Sequence, residues 1–201
     1  MKKIVAGLVV AMGLTGMAHA AGDAAAGQQN AMVCGGCHGT DGNSMVPNFP
    51  KLAGQGEKYL LKQMKDIKGG ARAVPEMTGI LTAFSDQDLE NIAAYFSSQK
   101  VAVGQAAADM VAKGQSLYRA GNKATGVAAC TACHGPSGKG VELAAFPSLS
   151  GQHPQYVENQ LKKFRSGERT NDGDSQIMRS IAGRLTDAEI SAVASYVSGL
   201  H

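Results

Sequence analysis

The 201-residue chain has no tryptophan and only five phenylalanines and five tyrosines. A folded unit of about 80 residues with so little aromatic mass is marginal on its own side chains. Sustained alternation of apolar and polar residues, the mark of half-buried strands, is also missing. There is no basic excess. Without Lys2 and Lys3, 17 basic residues face 16 acidic ones, which excludes a nucleic-acid binder of the usual kind. Residues 21–100 carry 7 basic and 8 acidic residues and residues 101–201 carry 10 and 8, a slight polarity that either orients the molecule on a partner or is ordinary surface charge. Long apolar runs are limited to residues 4–17, well short of the roughly 20 residues that span a bilayer. That run follows Lys2-Lys3 and precedes Ala18-His19-Ala20. The order basic, apolar, small-x-small reads as a secretory signal peptide over 1–20, removed after Ala20, rather than a retained anchor.

What is present is a repeat. Cys34-Gly-Gly-Cys37-His38-Gly39 returns 96 residues later as Cys130-Thr-Ala-Cys133-His134-Gly135. Phe49-Pro50-Lys51-Leu52-Ala53-Gly54-Gln55 returns at an offset of 97 as Phe146-Pro147-Ser148-Leu149-Ser150-Gly151-Gln152, and Tyr59 as Tyr156. Met77 pairs with Met178, Ser85-Asp86 with Thr186-Asp187, and Tyr95 with Tyr196 at an offset of 101, so the second copy gains four residues on the way. Another nine are gained between Gly114 and Cys130 relative to Gly27 and Cys34. Two copies of one domain follow, 21–100 and 108–201. The small-residue stretch from Gln99 to about Ala107 is either a linker or a loop packed along the domain interface.

Each copy reads as helical, giving an all-α fold. Asp23 is placed to cap a helix over 24–33, and Asp109 a helix over 110–119. Residues 59–68 and 156–165 carry apolar residues at three- and four-residue steps. Ser85 opens a last helix with Leu89, Ile92, Ala93 and Phe96 on one face, and Thr186-Asp-Ala-Glu189 is a capping box before Ile190, Val193 and Val197. The glycine-rich stretches fall between helices, as turns.

All four cysteines lie in the repeated Cys-x-x-Cys-His motif, the attachment sequence of c-type haem. Two thiols add across the porphyrin vinyl groups, and the next residue presents its imidazole to the iron. Cys34, Cys37 and His38 have this pattern in the first copy, and Cys130, Cys133 and His134 in the second. A redox disulfide expects a βαβ context that is missing here. A zinc site expects a second ligand pair further along the chain, and none exists. A large apolar cofactor also makes good the aromatic deficit.

The other axial ligand is read from the repeat. Met64 falls on Leu161, so its position needs only an apolar side chain; Met77 alone has a methionine partner, Met178. Each lies eight residues before its last-helix start, far enough along the chain to close over the opposite haem face. His153 falls on Gly56, and the repeat gives it no role. Pro50 and Pro147 stand 12 and 13 residues after the two histidines. Their carbonyls either accept the second ring N–H, fixing tautomer and donor strength, or belong to plain loop prolines.

With its two Cys-x-x-Cys-His motifs, two Phe-Pro-x-Leu segments and late Met77 and Met178, the mature chain resembles the dihaem cytochrome c4 family along nearly its whole length. The resemblance implies two tandem class I cytochrome c domains with haems facing each other near the interface, and proline carbonyls bonded to the proximal histidines, here Pro50 and Pro147. It also implies a monomeric periplasmic electron carrier at the membrane face, between a quinol-oxidising complex and a terminal oxidase. The rival readings are a dihaem enzyme such as a peroxidase, or the electron-transfer subunit of a periplasmic dehydrogenase. An enzyme needs a displaceable iron ligand, and a methionine matched in both copies argues against one.

Overall fold

The computed structural model describes residues 22–201, so the signal segment and its cleavage after Ala20 lie outside the described residues. Among these the regular structure is helical, with two isolated antiparallel bridges, Asn122 with Val127 and Val141 with Phe146. The first copy builds α1 (Ala24–Asn30), α2 (Gly35–His38), α3 (Glu57–Lys68) and α4 (Asp86–Ser98). The second builds α5 (Val111–Ala120), α6 (Thr131–His134), α7 (Pro154–Ser166), α8 (Ile177–Ala182) and α9 (Asp187–Ser198).

In each half the first helix crosses the last, α1 on α4 and α5 on α9. Both crossings pass through a glycine. A Cβ on Gly27 would meet the Asn91 carbonyl oxygen at 1.9 Å, and one on Gly114 the Ala192 carbonyl oxygen at 2.3 Å. Only glycine permits that approach of backbones. The last helices start where the sequence indicates. Ser85 and Asp88 form a reciprocal capping box on α4, and Thr186 and Glu189 form one on α9. Leu89, Ile92, Ala93 and Phe96 then bury one stripe of α4, and Ile190, Val193 and Val197 one stripe of α9.

Two expectations change, and one left open is decided. α1 ends at Asn30 and the chain tightens into a 3-10 turn over Ala31–Cys34, instead of continuing as one helix to residue 33. Asp23 does cap α1, accepting from the N–H groups of Ala25 and Ala26. Asp109 caps nothing: a turn closed by the Met110 N–H on the Ala107 carbonyl puts Met110 at the N-cap of α5. The stretch 99–107 is a packed loop tied to both halves. The Ala102 N–H donates to Asn43, the Gly104 N–H to the Ser198 carbonyl and the Ala107 N–H to Ser195.

The two insertions are local. The nine-residue gain folds as a turn closed by mutual backbone bonds between Asn122 and Val127 at 2.9 Å. The four-residue gain precedes α8 and is held by Asp172, which accepts from the backbone N–H of Arg179 at 2.9 Å and from its Nε at 2.7 Å.

Candidate functional site

A cavity of about 790 Å³ runs through both halves and across their interface. Its wall includes Cys34, Cys37, His38, Pro50 and Met77 from the first half, and Cys130, Cys133, His134, Pro147 and Met178 from the second. The residues singled out by sequence are thus brought together in each half. The helix α2 or α6 carries the second cysteine and the histidine of each motif. Cys34 and Cys130, just upstream, pack half-buried against the two hydrophobic cores.

His38 and His134 are each 8% exposed. Their Nδ1 atoms lie 2.9 Å from the carbonyl oxygens of Pro50 and Pro147. A carbonyl only accepts, so Nδ1 carries the proton and Nε2 keeps a free lone pair. Burial pushes both imidazoles below their ordinary range, and the bonds to Pro50 and Pro147 offset part of that. A neutral ring with a free Nε2 is the form that binds iron.

Burial also pushes the Cys34 and Cys130 thiols up to about 11. Nucleophilic and redox-active cysteines have depressed values, so these thiols do not suit disulfide exchange. Among the described residues no three His, Cys, Asp or Glu side chains gather as a metal cluster, which leaves the zinc reading without support. Apolar walls, paired thiols and a free imidazole nitrogen in each half fit a covalently held haem.

The other methionines separate by position. Met32 and Met45 are 77% and 90% exposed. Met64 is buried in the core of the first half and also reaches the cavity wall, where Met77 and Met178 lie partly buried. Between Met64 and Met77 the repeat decides, because only Met77 has a methionine at the matching position of the second half. His153 has a role the repeat did not suggest: its Nε2 donates to the Ser44 carbonyl of the first half at 2.8 Å.

Sequence reasoning missed the polar seam between the halves. Arg72 and Arg169, at the repeat offset of 97, cross it in matched fashion. Arg72 donates to Gln63 at 2.9 Å in its own half, and to Tyr156 at 3.0 Å and Gln160 at 3.1 Å in the other. Arg169 donates to Gln160 at 2.8 Å in its own half, and to Tyr59 at 3.2 Å and Gln63 at 3.0 Å in the other. The two domains therefore meet about an approximate two-fold axis. Burial raises the Tyr59 phenol, but the two guanidiniums outweigh it and hold that phenol below its usual range. Arg72 is held above its usual range, its burial outweighed by Tyr156, Tyr59 and Asp66. The signal was present in the sequence, as arginine and glutamine recurring at one offset.

A cytochrome c family profile matches residues 24–100 and again 111–201. Cytochrome c4 of Pseudomonas aeruginosa is 62% identical over 201 residues, covering all of both chains. The thiosulfate dehydrogenase electron acceptor of Stutzerimonas stutzeri is 39% identical over 176 residues, 85% of this chain and 80% of that protein. The crystal structure of reduced recombinant cytochrome c4 from Pseudomonas stutzeri superposes with a TM-score of 0.89 at 56% identity, covering 90% of this chain and all of that one. Two cytochrome c domains in tandem, one cavity through both and full-length likeness at this level place the chain in the cytochrome c4 family, electron-transfer proteins with two covalently bound haem c groups.

Proposed function

We propose that Cys34 and Cys37 hold one haem and Cys130 and Cys133 the other, with His38 and His134 as proximal ligands and Met77 and Met178 as distal ones. The observation that carries this assignment is that each set of five residues, proline included, lines its own half of one cavity. When bound, each haem iron supplies a one-electron ferric/ferrous couple. The protein's part is to keep that couple's surroundings fixed. Pro50 and Pro147 lock the imidazole rings, and the crossed α1–α4 and α5–α9 helices hold the cavity wall. A histidine and a methionine committed to the same iron leave no position for a substrate, so the protein carries electrons and has no catalytic residues. A closed Met/His site also raises the reduction potential.

The chain works in the periplasm after cleavage at Ala20, as a monomer at the membrane face. It passes electrons from a quinol-oxidising complex towards a terminal oxidase. The likeness to a thiosulfate dehydrogenase electron acceptor supports a second source of electrons, a periplasmic dehydrogenase.

Ligand challenge separates carrier from enzyme. The ferrous protein at neutral pH is expected to leave carbon monoxide unbound, and Met77→Ala to gain binding at one haem only. Rapid stoichiometric binding by the unaltered protein would contradict the carrier reading.

A further inference from the structure

The peptide group that accepts the proximal histidine's proton is itself held from the opposite domain. The Pro50 carbonyl and the Lys51 N–H are two ends of one peptide unit, coupled by amide resonance. The carbonyl end lies 2.9 Å from Nδ1 of His38. The N–H end donates to Oε1 of Gln152, in the other domain, at 2.9 Å. Nε2 of Gln152 donates back to the Lys51 carbonyl at 2.9 Å. The second half repeats the arrangement in reverse. Nδ1 of His134 lies 2.9 Å from the Pro147 carbonyl. The Ser148 N–H donates to Oε1 of Gln55 at 2.7 Å, and Nε2 of Gln55 donates back to the Ser148 carbonyl at 3.0 Å.

The side-chain amides can sit only one way round. Oε1 of Gln152 also accepts the His153 N–H at 3.0 Å, and Oε1 of Gln55 the Gly56 N–H at 3.0 Å. A flipped amide would face two donors with its own NH₂ group. Both glutamines are 6% exposed, so water does not compete with them. General interface packing would need neither this register nor its repetition. A glutamine placed anywhere along the seam could bury its side chain, yet each one grips the peptide that touches a haem-motif histidine.

We propose that Gln152 and Gln55 are positioning residues that tune the reduction potential of the opposite domain's haem through the Pro50–Lys51 and Pro147–Ser148 peptides. This rests on His38 and His134 being the proximal ligands. An acceptor on the peptide N–H polarises the unit and makes its carbonyl a stronger acceptor, since hydrogen bonds in series reinforce one another. The carbonyl then draws harder on the imidazole N–H, which makes the ring a stronger donor to iron. A stronger donor favours the ferric state, so each glutamine holds the potential across the interface down.

The test is a redox titration of the haem-loaded protein followed by NMR, where the two halves give separate resonances. Gln152→Leu is expected to raise the potential of the haem in residues 21–100, to move the His38 Nδ1 proton upfield and to leave the other half alone. Gln55→Leu is expected to do the same to the haem in residues 108–201 and to the His134 proton. Loosening of the interface would instead expose both haems and lower both potentials together. Equal shifts at both haems, a fall, or no shift overturns the proposal. If a leucine variant does not fold, Gln152→Glu and Gln55→Glu keep an acceptor on the same N–H. Their expected effect is a fall confined to the opposite haem, and an equal fall at both, or no change, overturns it. Loss of covalent haem or of the methionine–histidine spectrum in the unaltered protein would instead sink the ligand assignment.

Discussion

Replacing Cys130 and Cys133 together by serine lowers covalently held haem from two per chain to one and melts much of the C-terminal half. Cys130 packs against the core formed by Leu117, Tyr118, Val157, Ile190 and Val197, and the cavity opens beside that core. A unit of this size holds together only if something apolar occupies that space. Loss of the thioether links lets the haem leave, and the walls then expose apolar surface at about 25 cal/mol per Å². Helicity should drop by well over a quarter, while the far-red absorption of the first domain persists because His38 and Met77 lie in the other half. Haem-to-protein ratio and far-UV circular dichroism check this. Two haems that still resist extraction would contradict the attachment assignment.

Arg169→Ala is the most damaging single change expected in the seam. Arg169 is 7% exposed, and its guanidinium stacks 4.4 Å from the Phe164 ring centre. It donates to Asn171, Gln160, Tyr59 and Gln63. Of these partners, Tyr59 is the one for which Arg169 is the sole side-chain donor across the seam. Gln63 and Gln160 keep Arg72 as a donor, but Tyr59 and the Asn171 Oδ1 lose the guanidinium, and with its packing on Phe164 gone the loss is about 3 kcal/mol. For a chain of this length that corresponds to a fall of about 6–12 °C in melting temperature. Lys65→Ala is the control. Its ion pair with Asp86 spans 2.8 Å, but the two side chains are 41% and 73% exposed. Surface pairs of this kind contribute about 0–1 kcal/mol. Equal effects of the two substitutions would show that the seam does not hold the domains together.

The contrast between these two arginine and lysine sites also shows what the sequence made legible. Cys-x-x-Cys-His is a local motif, so the two attachment segments could be read directly, and the repeat then separated Met77 and Met178 from Met32, Met45 and Met64. The capping box at Thr186 is a four-residue signal and fell where expected, and Ser85 opens α4 as read, through a box with Asp88 that the structure adds. The proline carbonyls were left open by the residues alone, since any loop proline has one; the fold put both at 2.9 Å from a histidine nitrogen. Asp109 shows the limit of local signals. It has the right chemistry for a cap, but the preceding turn carries it one residue too early. The seam was harder still. Arg72 pairs with Gln160 and Arg169 with Gln63 across 88 and 106 residues; their recurrence at the repeat offset was visible, but it does not say that they meet each other across the interface. Gln55 and Gln152 stood inside the repeated segment, yet nothing local distinguishes a glutamine that grips a distant peptide from one that faces water.

The most direct measurement is acid-acetone extraction of the purified protein with an optical spectrum of its ferric state. Two haems that stay with the polypeptide, together with the weak far-red band of methionine-ligated ferric iron, are the expected result. One haem or none after extraction, or the spectrum of high-spin iron with an open position, would contradict the account of a dihaem carrier.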